Sequence, residues 1–141
     1  WHLNKRQVNA LYEWLKDYMQ LKQDIDYLEF KLEREEVELR RWVEGDLQNV
    51  KLQHNSIASG IEERIELLKK EIRYKKRKLK DLVELIEMFE GLDNQILRMK
   101  WCEGKTLEEI ACELNYSYGY IKQRHANAMR TIGFVDMFKV R

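Results

Sequence analysis

Apolar residues follow a heptad spacing through most of residues 1–91. One repeat comprises Leu11, Tyr18, Ile25, Leu32 and Leu39 at one position and Trp14, Leu21, Leu28, Glu35 and Trp42 at the other. A second repeat comprises Ala58, Ile65, Ile72, Leu79 and Ile86 at one position and Ile61, Leu68, Lys75, Leu82 and Phe89 at the other. Such spacing places one apolar stripe along an α-helix, which packs against another helix. Because each repeat has a single charged violation, the pattern predicts two long helices.

The segment between the two repeats predicts a connecting loop near residues 45–60, because it is rich in glycine, asparagine and serine. Two helices of matched length joined by a loop most simply form an antiparallel hairpin. An intermolecular coiled coil would show the same pattern, so a homodimer is left open. The register expected for the hairpin places Lys75 opposite Asp26 and Glu35 opposite Glu66, so Glu35 is expected to have no basic neighbour.

Residues 73–80, with the sequence RYKKRKLK, carry six positive charges. Few carboxylates lie beside this run in the expected register, so most of its charge is expected to remain unneutralised within the hairpin. A solvated helix face accounts for such a run and is the interpretation we favour. The alternative is contact with DNA phosphates through Lys75, Lys76 and Lys78, or with an acidic partner surface.

The heptad repeat ends at Gly91, and residues 92–141 predict a separate compact unit of short helices. A first short helix is expected to stop near Gly104. Thr106 and Glu109 then have the spacing of a capping box, in which each side chain accepts the other residue's amide at a helix start. The core expected for this unit comprises Leu97, Trp101, Leu107, Ile110, Leu114, Ile121 and Ile132.

A tight turn is predicted between the helix that follows Thr106 and the last helix. Asn115 tolerates the left-handed backbone that such a turn needs, and Ser117 is a favourable N-cap for the next helix. Ala111 is small where the two helices would cross. A helix, a tight turn and a capped helix together predict a helix-turn-helix. An ordinary pair of packed helices with a solvated polar face is the alternative.

A helix-turn-helix places the first turns of its second helix in the major groove of double-stranded DNA. Gln can bond adenine bidentately, Lys can address guanine, and Tyr can contact a phosphate or a thymine methyl group. The positions expected to read bases are Tyr118, Tyr120, Lys122 and Gln123. The positions expected to contact the DNA backbone are Lys105, Thr106, Ser117, Arg124, Asn127 and Arg130.

Composition limits the class of protein. Charged residues make up 36% of the 141-residue chain and proline is absent, which suits long exposed helices. The net charge of only +1 is segregated, with −3 in residues 1–46 and +2 in each remaining third. Cys102 and Cys112 lack a metal-binding spacing, so we expect no metal and no cofactor. No segment has the length of a membrane span or the pattern of a secretory signal, which leads us to expect a cytoplasmic protein. The chain begins at Trp1 rather than at a methionine, so we expect the true N-terminus of the protein to lie before it.

Residues 92–132, LDNQILRMKWCEGKTLEEIACELNYSYGYIKQRHANAMRTI, resemble region 4 of bacterial sigma factors, which reads the −35 promoter element. The resemblance implies that Lys122 and Gln123 occupy promoter-reading positions. Tyr118 and Gly119 replace the charged residues typical of the family at these positions, so the target need not be the −35 sequence. Arg124 stands where the family usually has an apolar residue, and its charged group is expected to reach solvent. Long helices followed by a lone region 4-like unit are also similar to phage late-gene regulators of the ArpU and RinA type.

These features predict an all-α protein: a long antiparallel hairpin, residues 1–91, followed by a helix-turn-helix DNA-binding domain, residues 92–141. The expected function is that of a sequence-specific transcriptional regulator, encoded by a phage or mobile element and acting at promoters in a bacterial host cell. The alternative is a helical adaptor that binds RNA polymerase or another protein without reading DNA. An enzyme is not expected, because the sequence contains no phosphate-binding glycine loop and no catalytic constellation.

Overall fold

The computed structural model describes residue 13, residues 15–51 and residues 53–139, with side chains described up to residue 134. The described part of the chain is all-helical, which confirms the predicted fold class. Its helices are α1 (Tyr18–Val43), α2 (His54–Glu87), α3 (Gly91–Leu97), α4 (Leu107–Leu114) and α5 (Tyr118–Lys139). A π-helical turn, Arg98–Cys102, continues α3. Leu11 and Trp14 of the first heptad repeat lie outside the described residues. No described helix has the length and apolar character needed to cross a membrane.

The contacts of the chain divide into two units, and the division cuts through both long helices. One unit is the middle of the hairpin, residues 22–77. The other contains the described residues up to 21 and from 78 onward, and therefore includes the C-terminal helices. The domain boundary that we predict at residue 91 lies inside this second unit and stays a prediction.

The middle of the hairpin is held by one apolar stripe from each helix. Ile25, Ile61, Ile65 and Ile72 are buried there. The helices are antiparallel, because Glu35 of α1 pairs with Arg64, at 3.2 and 3.3 Å, whereas Asp24, earlier in α1, pairs with Lys75, later in α2.

The partners predicted for the two charged heptad positions are wrong. Glu35 pairs with Arg64 rather than facing Glu66. The ammonium of Lys75 lies 3.4 Å from a carboxylate oxygen of Asp24, not of Asp26. Both charged heptad violations therefore have a partner of opposite charge on the other long helix.

The connection between the long helices is shorter than the predicted loop. Helix α2 begins at His54, so residues 54–60 are helical. An Nε2–carbonyl hydrogen bond of 2.6 Å links His54 to Trp42 at the end of α1. Ile61, with 1% of its surface exposed, anchors this first part of α2 in the core. Packing of that kind outweighs the helix-breaking tendency of Gly60, which costs only about 1 kcal/mol.

The unit that contains the C-terminal helices has two buried clusters. The first comprises Leu15, Tyr18, Leu82, Leu85, Ile86, Leu97, Ala128 and Ile132, with Trp101 packed against it. The second comprises Ile96, Ile110, Ala111 and Ile121. Leu97, Trp101 and Ile132, which we expected in a core built only by residues from 92 onward, therefore pack with residues at the ends of the hairpin. Adjacent residues of α3, Ile96 and Leu97, point into different clusters.

Polar contacts also join α3 to the end of α2. The side-chain amide of Asn94 donates a 2.9 Å hydrogen bond to the carbonyl oxygen of Ile86, one of the last carbonyl groups of α2. Arg98 forms a salt bridge with Glu87. Gly91 has a φ of +59°, a conformation that glycine adopts without a steric penalty, and this lets the chain turn from one helix into the next.

Candidate nucleic-acid interface

The segment from α4 to α5 has the local geometry predicted for a helix-turn-helix. The Thr106 hydroxyl oxygen accepts a 3.1 Å hydrogen bond from the amide of Glu109 and caps α4. Asn115 has the left-handed angles φ 60° and ψ 41°. The Ser117 hydroxyl oxygen accepts a 3.2 Å hydrogen bond from the amide of Tyr120 and caps α5. The N-caps predicted at Thr106 and Ser117 and the predicted turn are therefore confirmed, whereas only one of the two bonds of the predicted capping box is present among the described residues.

Packing against the second cluster sets the rotation of α5 about its axis. Ile121 is completely buried against Ile110 and Ala111 of α4. The carbonyl oxygen of Ala111 also accepts the amides of Asn115 and Tyr116, which closes the turn. Because one position of the first turns of α5 points inward, the neighbouring positions point to solvent.

The four positions predicted to read bases all lie on this solvent-exposed surface. Tyr118 and Tyr120 have 44% and 40% of their surface exposed, and Lys122 and Gln123 are also exposed. The ammonium of Lys122 lies 5.9 Å from the centre of the Tyr118 ring. The fold thus presents two tyrosines, one cation and one amide along the first turns of α5. Contact between these residues and DNA stays a prediction.

A column of side chains runs along one edge of this surface from Tyr116 to Asp93. The rings of Tyr116 and Tyr120 are 5.3 Å apart, and the guanidinium of Arg124 lies 5.7 Å from the centre of the Tyr120 ring. Arg124 donates a 2.8 Å bond to the carboxylate of Asp93 and a 3.4 Å bond to the Tyr120 hydroxyl. The bond to Asp93 is the main reason that the pKa of Arg124 is raised.

No local feature of the sequence predicts this column. Arg124 was expected to reach solvent and contact the DNA backbone, whereas the structure pairs it with Asp93, which precedes it by 31 residues on another helix. Neither Asp93 nor Tyr116 is among the residues that we predicted for the site. The only clue available from the sequence is that Arg124 stands where the resembling family has an apolar residue.

Among the other residues predicted to contact the DNA backbone, Lys105 and Arg130 differ in whether their bonding partners are charged. Lys105 lies 2.8 Å from Glu113 and 3.3 Å from Glu103, and the bond to Glu113 is the main cause of its raised pKa. Arg130 donates a 2.7 Å bond to the side-chain oxygen of Asn127, which carries no charge. Among the described side chains, Arg130 therefore has a neutral partner, whereas the Lys105 charge is shared with two carboxylates.

The basic run lies mostly in the middle of the hairpin, where two of its three candidate lysines are paired. Lys75 pairs with Asp24, and Lys76 lies 2.6 Å from a carboxylate oxygen of Glu29. Lys75 has an acidic neighbour as predicted, although a different one, and the expectation that the run stays mostly unneutralised is wrong for Lys76. Contact with phosphates by Lys75, Lys76 or Lys78 stays a prediction.

His125 is the inward-facing titratable residue of α5. Its ring centre lies 5.8 Å from that of Trp101, and its Nε2 atom is buried without a hydrogen-bond partner among the described residues. Burial lowers the pKa of His125, and the nearby charge of Lys100 lowers it further. Folding of this unit therefore favours the neutral form of the His125 imidazole.

Comparison with known families supports the interpretation of this segment as a helix-turn-helix. Residues 92–132 match the family model of sigma-70, region 4. This region 4-like segment begins in α3, contains α4 and the turn, and ends within α5, so it includes every side chain of the candidate interface. Region 4 is a DNA-binding regulatory domain rather than a catalytic one. No curated protein and no solved structure is similar enough to the chain to match it.

Proposed function

We propose that this protein is a sequence-specific DNA-binding transcriptional regulator that acts at promoters through the first turns of α5. One observation supports the proposal above the others: a segment that matches sigma-70 region 4 exposes Tyr118, Lys122 and Gln123 on a helix whose rotation is fixed by the buried Ile121. The similarity in architecture to phage late-gene regulators of the ArpU and RinA type adds a phage or mobile-element origin, and a bacterial cytoplasm as its place of action.

The exposed side chains suggest how bases would be distinguished. The Gln123 amide can donate to and accept from the major-groove edge of adenine, and the Lys122 ammonium can donate to guanine. Tyr118 lies beside Lys122 and can contact a thymine methyl group with its ring or a phosphate with its hydroxyl group. Phosphate contacts from Arg130 and from the capping residues Thr106 and Ser117 would set the register without reading sequence.

Selection of bound duplexes from a random pool, followed by footprinting of the selected duplex, tests the proposal. The double variant Lys122→Ala/Gln123→Ala should lose discrimination between the selected and a scrambled duplex. Gln123→Ala alone should relax base preference by roughly 1–3 kcal/mol at one or two positions. Lys70→Ala/Gln23→Ala is the matched control, because it removes the same groups from exposed positions in the middle of the hairpin. Selection that enriches no sequence, or equal discrimination by both double variants, would contradict the proposal.

A helical adaptor that docks on RNA polymerase is the second candidate. It is favoured by the charge pairing described above, because Lys105 and Arg124 share their charges with carboxylates of the same unit. An interface with few uncompensated cations suits a protein surface better than a phosphate backbone. Binding to purified polymerase, together with no salt-dependent binding to any duplex, would favour the adaptor over the DNA reader.

A further inference from the structure

The pair formed by Asp93 and Arg124 connects the recognition helix to α3 at the edge of the candidate interface. The two residues lie in different helices, and the Arg124 Nε atom is 2.8 Å from the Asp93 carboxylate. Both side chains keep about a third of their surface exposed, at 32% and 37%, so the pair is within reach of a ligand. Its position is at the surface where the proposed function places the DNA backbone.

Three contacts hold the guanidinium of Arg124 in place. Asp93 accepts its Nε hydrogen, the Tyr120 hydroxyl accepts a hydrogen from a terminal nitrogen, and the Tyr120 ring lies beneath its carbon at 5.7 Å. Tyr120 in turn stacks on Tyr116. These contacts restrict the orientations open to Arg124 and to the tyrosine that it contacts. A free arginine on the surface of a helix would instead sample many rotamers.

The charge of Arg124 is also compensated. A phosphate that approaches the pair meets a cation and an anion within 3 Å of each other, rather than a single positive charge. Association with DNA is driven largely by the release of counterions, which requires uncompensated positive charge on the protein. Arg124 therefore contributes little to that driving force while Asp93 is ionised.

We propose that Asp93 withholds Arg124 from the DNA backbone, so that Arg124 acts as a positioning residue for Tyr120 and not as a phosphate contact. This inference rests on the proposed DNA-binding function and assigns Asp93 a role in it: Asp93 limits sequence-independent affinity, and base contacts then account for a larger share of binding. Tyr120, whose hydroxyl accepts a hydrogen bond from Arg124, is then held in place beside the reading residues Tyr118, Lys122 and Gln123.

The salt dependence of binding to a random-sequence duplex tests the inference in the full chain. Asp93→Asn keeps the shape of the side chain but removes the negative charge. It should steepen the slope of log affinity against log salt by about 0.9, the contribution of one phosphate contact. Between roughly 50 and 200 mM salt, affinity would then fall by an additional factor of about 3. Asp93→Ala, which removes both the charge and the hydrogen bond, should steepen the slope in the same way.

Two further variants separate this effect from a general change in charge. Glu108→Gln removes one exposed negative charge from α4, and no ion pair of the described residues involves Glu108, so its slope should stay at the wild-type value. Asp93→Asn/Arg124→Gln replaces the ion pair with a neutral pair of similar size and keeps the net charge. Its slope should also equal that of the wild type, while its discrimination between the selected and scrambled duplexes should fall because Tyr120 is less firmly held.

The possible outcomes are distinct. A double variant with a flatter slope than the wild type would show that Arg124 already contacts a phosphate, and this would overturn the inference. Equal slopes for Asp93→Asn and Glu108→Gln would overturn it as well. A wild-type protein that binds no duplex would instead contradict the proposed function, and the inference that rests on it would be lost for that separate reason.

Discussion

The middle of the hairpin and the region 4-like segment are both helical, but they are stabilised in different ways. In the middle of the hairpin, residues 22–77, charged side chains pair across the two long helices, as Glu35 does with Arg64. In the region 4-like segment, the helix starts and the turn are held by side-chain and backbone bonds that span only a few residues. A periodic pattern thus specifies helices but not which charged side chains pair across them, whereas local caps specify a turn almost independently of the rest of the chain.

The two regions also differ in how their apolar residues are used. Each long helix of the hairpin contributes one buried stripe, while α3 contributes to two clusters through Ile96 and Leu97. A short helix buried on two sides is difficult to stabilise alone, because each side depends on a different set of neighbours. The C-terminal helices should therefore depend on the ends of the hairpin more than their compact sequence pattern suggests.

The largest effect that we expect comes from removing the hairpin. A fragment that begins at Leu92 lacks Leu15, Tyr18, Leu82 and Ile86, and about 50 residues is marginal for independent folding, so it should be only weakly stable. Circular dichroism during thermal unfolding, compared with the full chain, measures this. A fragment that melts cooperatively near the temperature of the full chain would support the predicted boundary at residue 91 as an independent folding limit.

A smaller but still substantial effect is expected from Leu97→Ala. Leu97 is fully buried in the first cluster, so its truncation should lower the free energy of unfolding by about 2–5 kcal/mol. Leu67→Ala is the control, because Leu67 lies on the hairpin with 67% of its surface exposed and should change stability by less than about 0.5 kcal/mol. Denaturant unfolding compares the two. Similar midpoints for both variants would mean that α3 does not depend on the first cluster.

Acid should weaken the C-terminal unit through His125. Its folded-state pKa lies below 6.5 because burial and the charge of Lys100 disfavour the imidazolium ion. The unfolded chain then binds a proton near pH 6.5 while the folded chain does not, so stability should be complete above pH 6.5 and fall as the pH decreases below it. Unfolding measured at several pH values, with His125→Gln for comparison, checks the sign. Equal pH dependence in both proteins between pH 6.5 and 5 would exclude His125 as the source.

The smallest effect is expected from the basic run. Replacing Lys75, Lys76 and Lys78 with Gln removes paired charges from the hairpin, and exposed ion pairs contribute only about 0–1 kcal/mol each. If the run is a solvated face, as we favour, the salt slope of duplex binding should not change. A slope flattened by about 0.9 for each lysine would show instead that the hairpin contacts phosphates, and would give the two regions a shared role in DNA binding.

Much of this protein could be predicted from the sequence where the deciding interactions are short in range. Thr106, Asn115 and Ser117 form the caps and the turn with partners no more than four residues away, so residue type and spacing were sufficient to predict them. The two long helices followed from the heptad repeats for a similar reason, because an apolar stripe is a property of consecutive residues.

Tertiary structure alone decided the partners that are distant in sequence. The bonds between Glu35 and Arg64 and between Arg124 and Asp93 join residues 29 and 31 positions apart, and each depends on the register or rotation of a whole helix. Side chains as long as those of Arg64 and Lys75 can reach several positions on the facing helix, so the heptad repeat does not specify which partner each one takes. The heptad therefore predicts that the helices meet, and only the packed molecule determines which charges neutralise one another and which remain available to bind DNA.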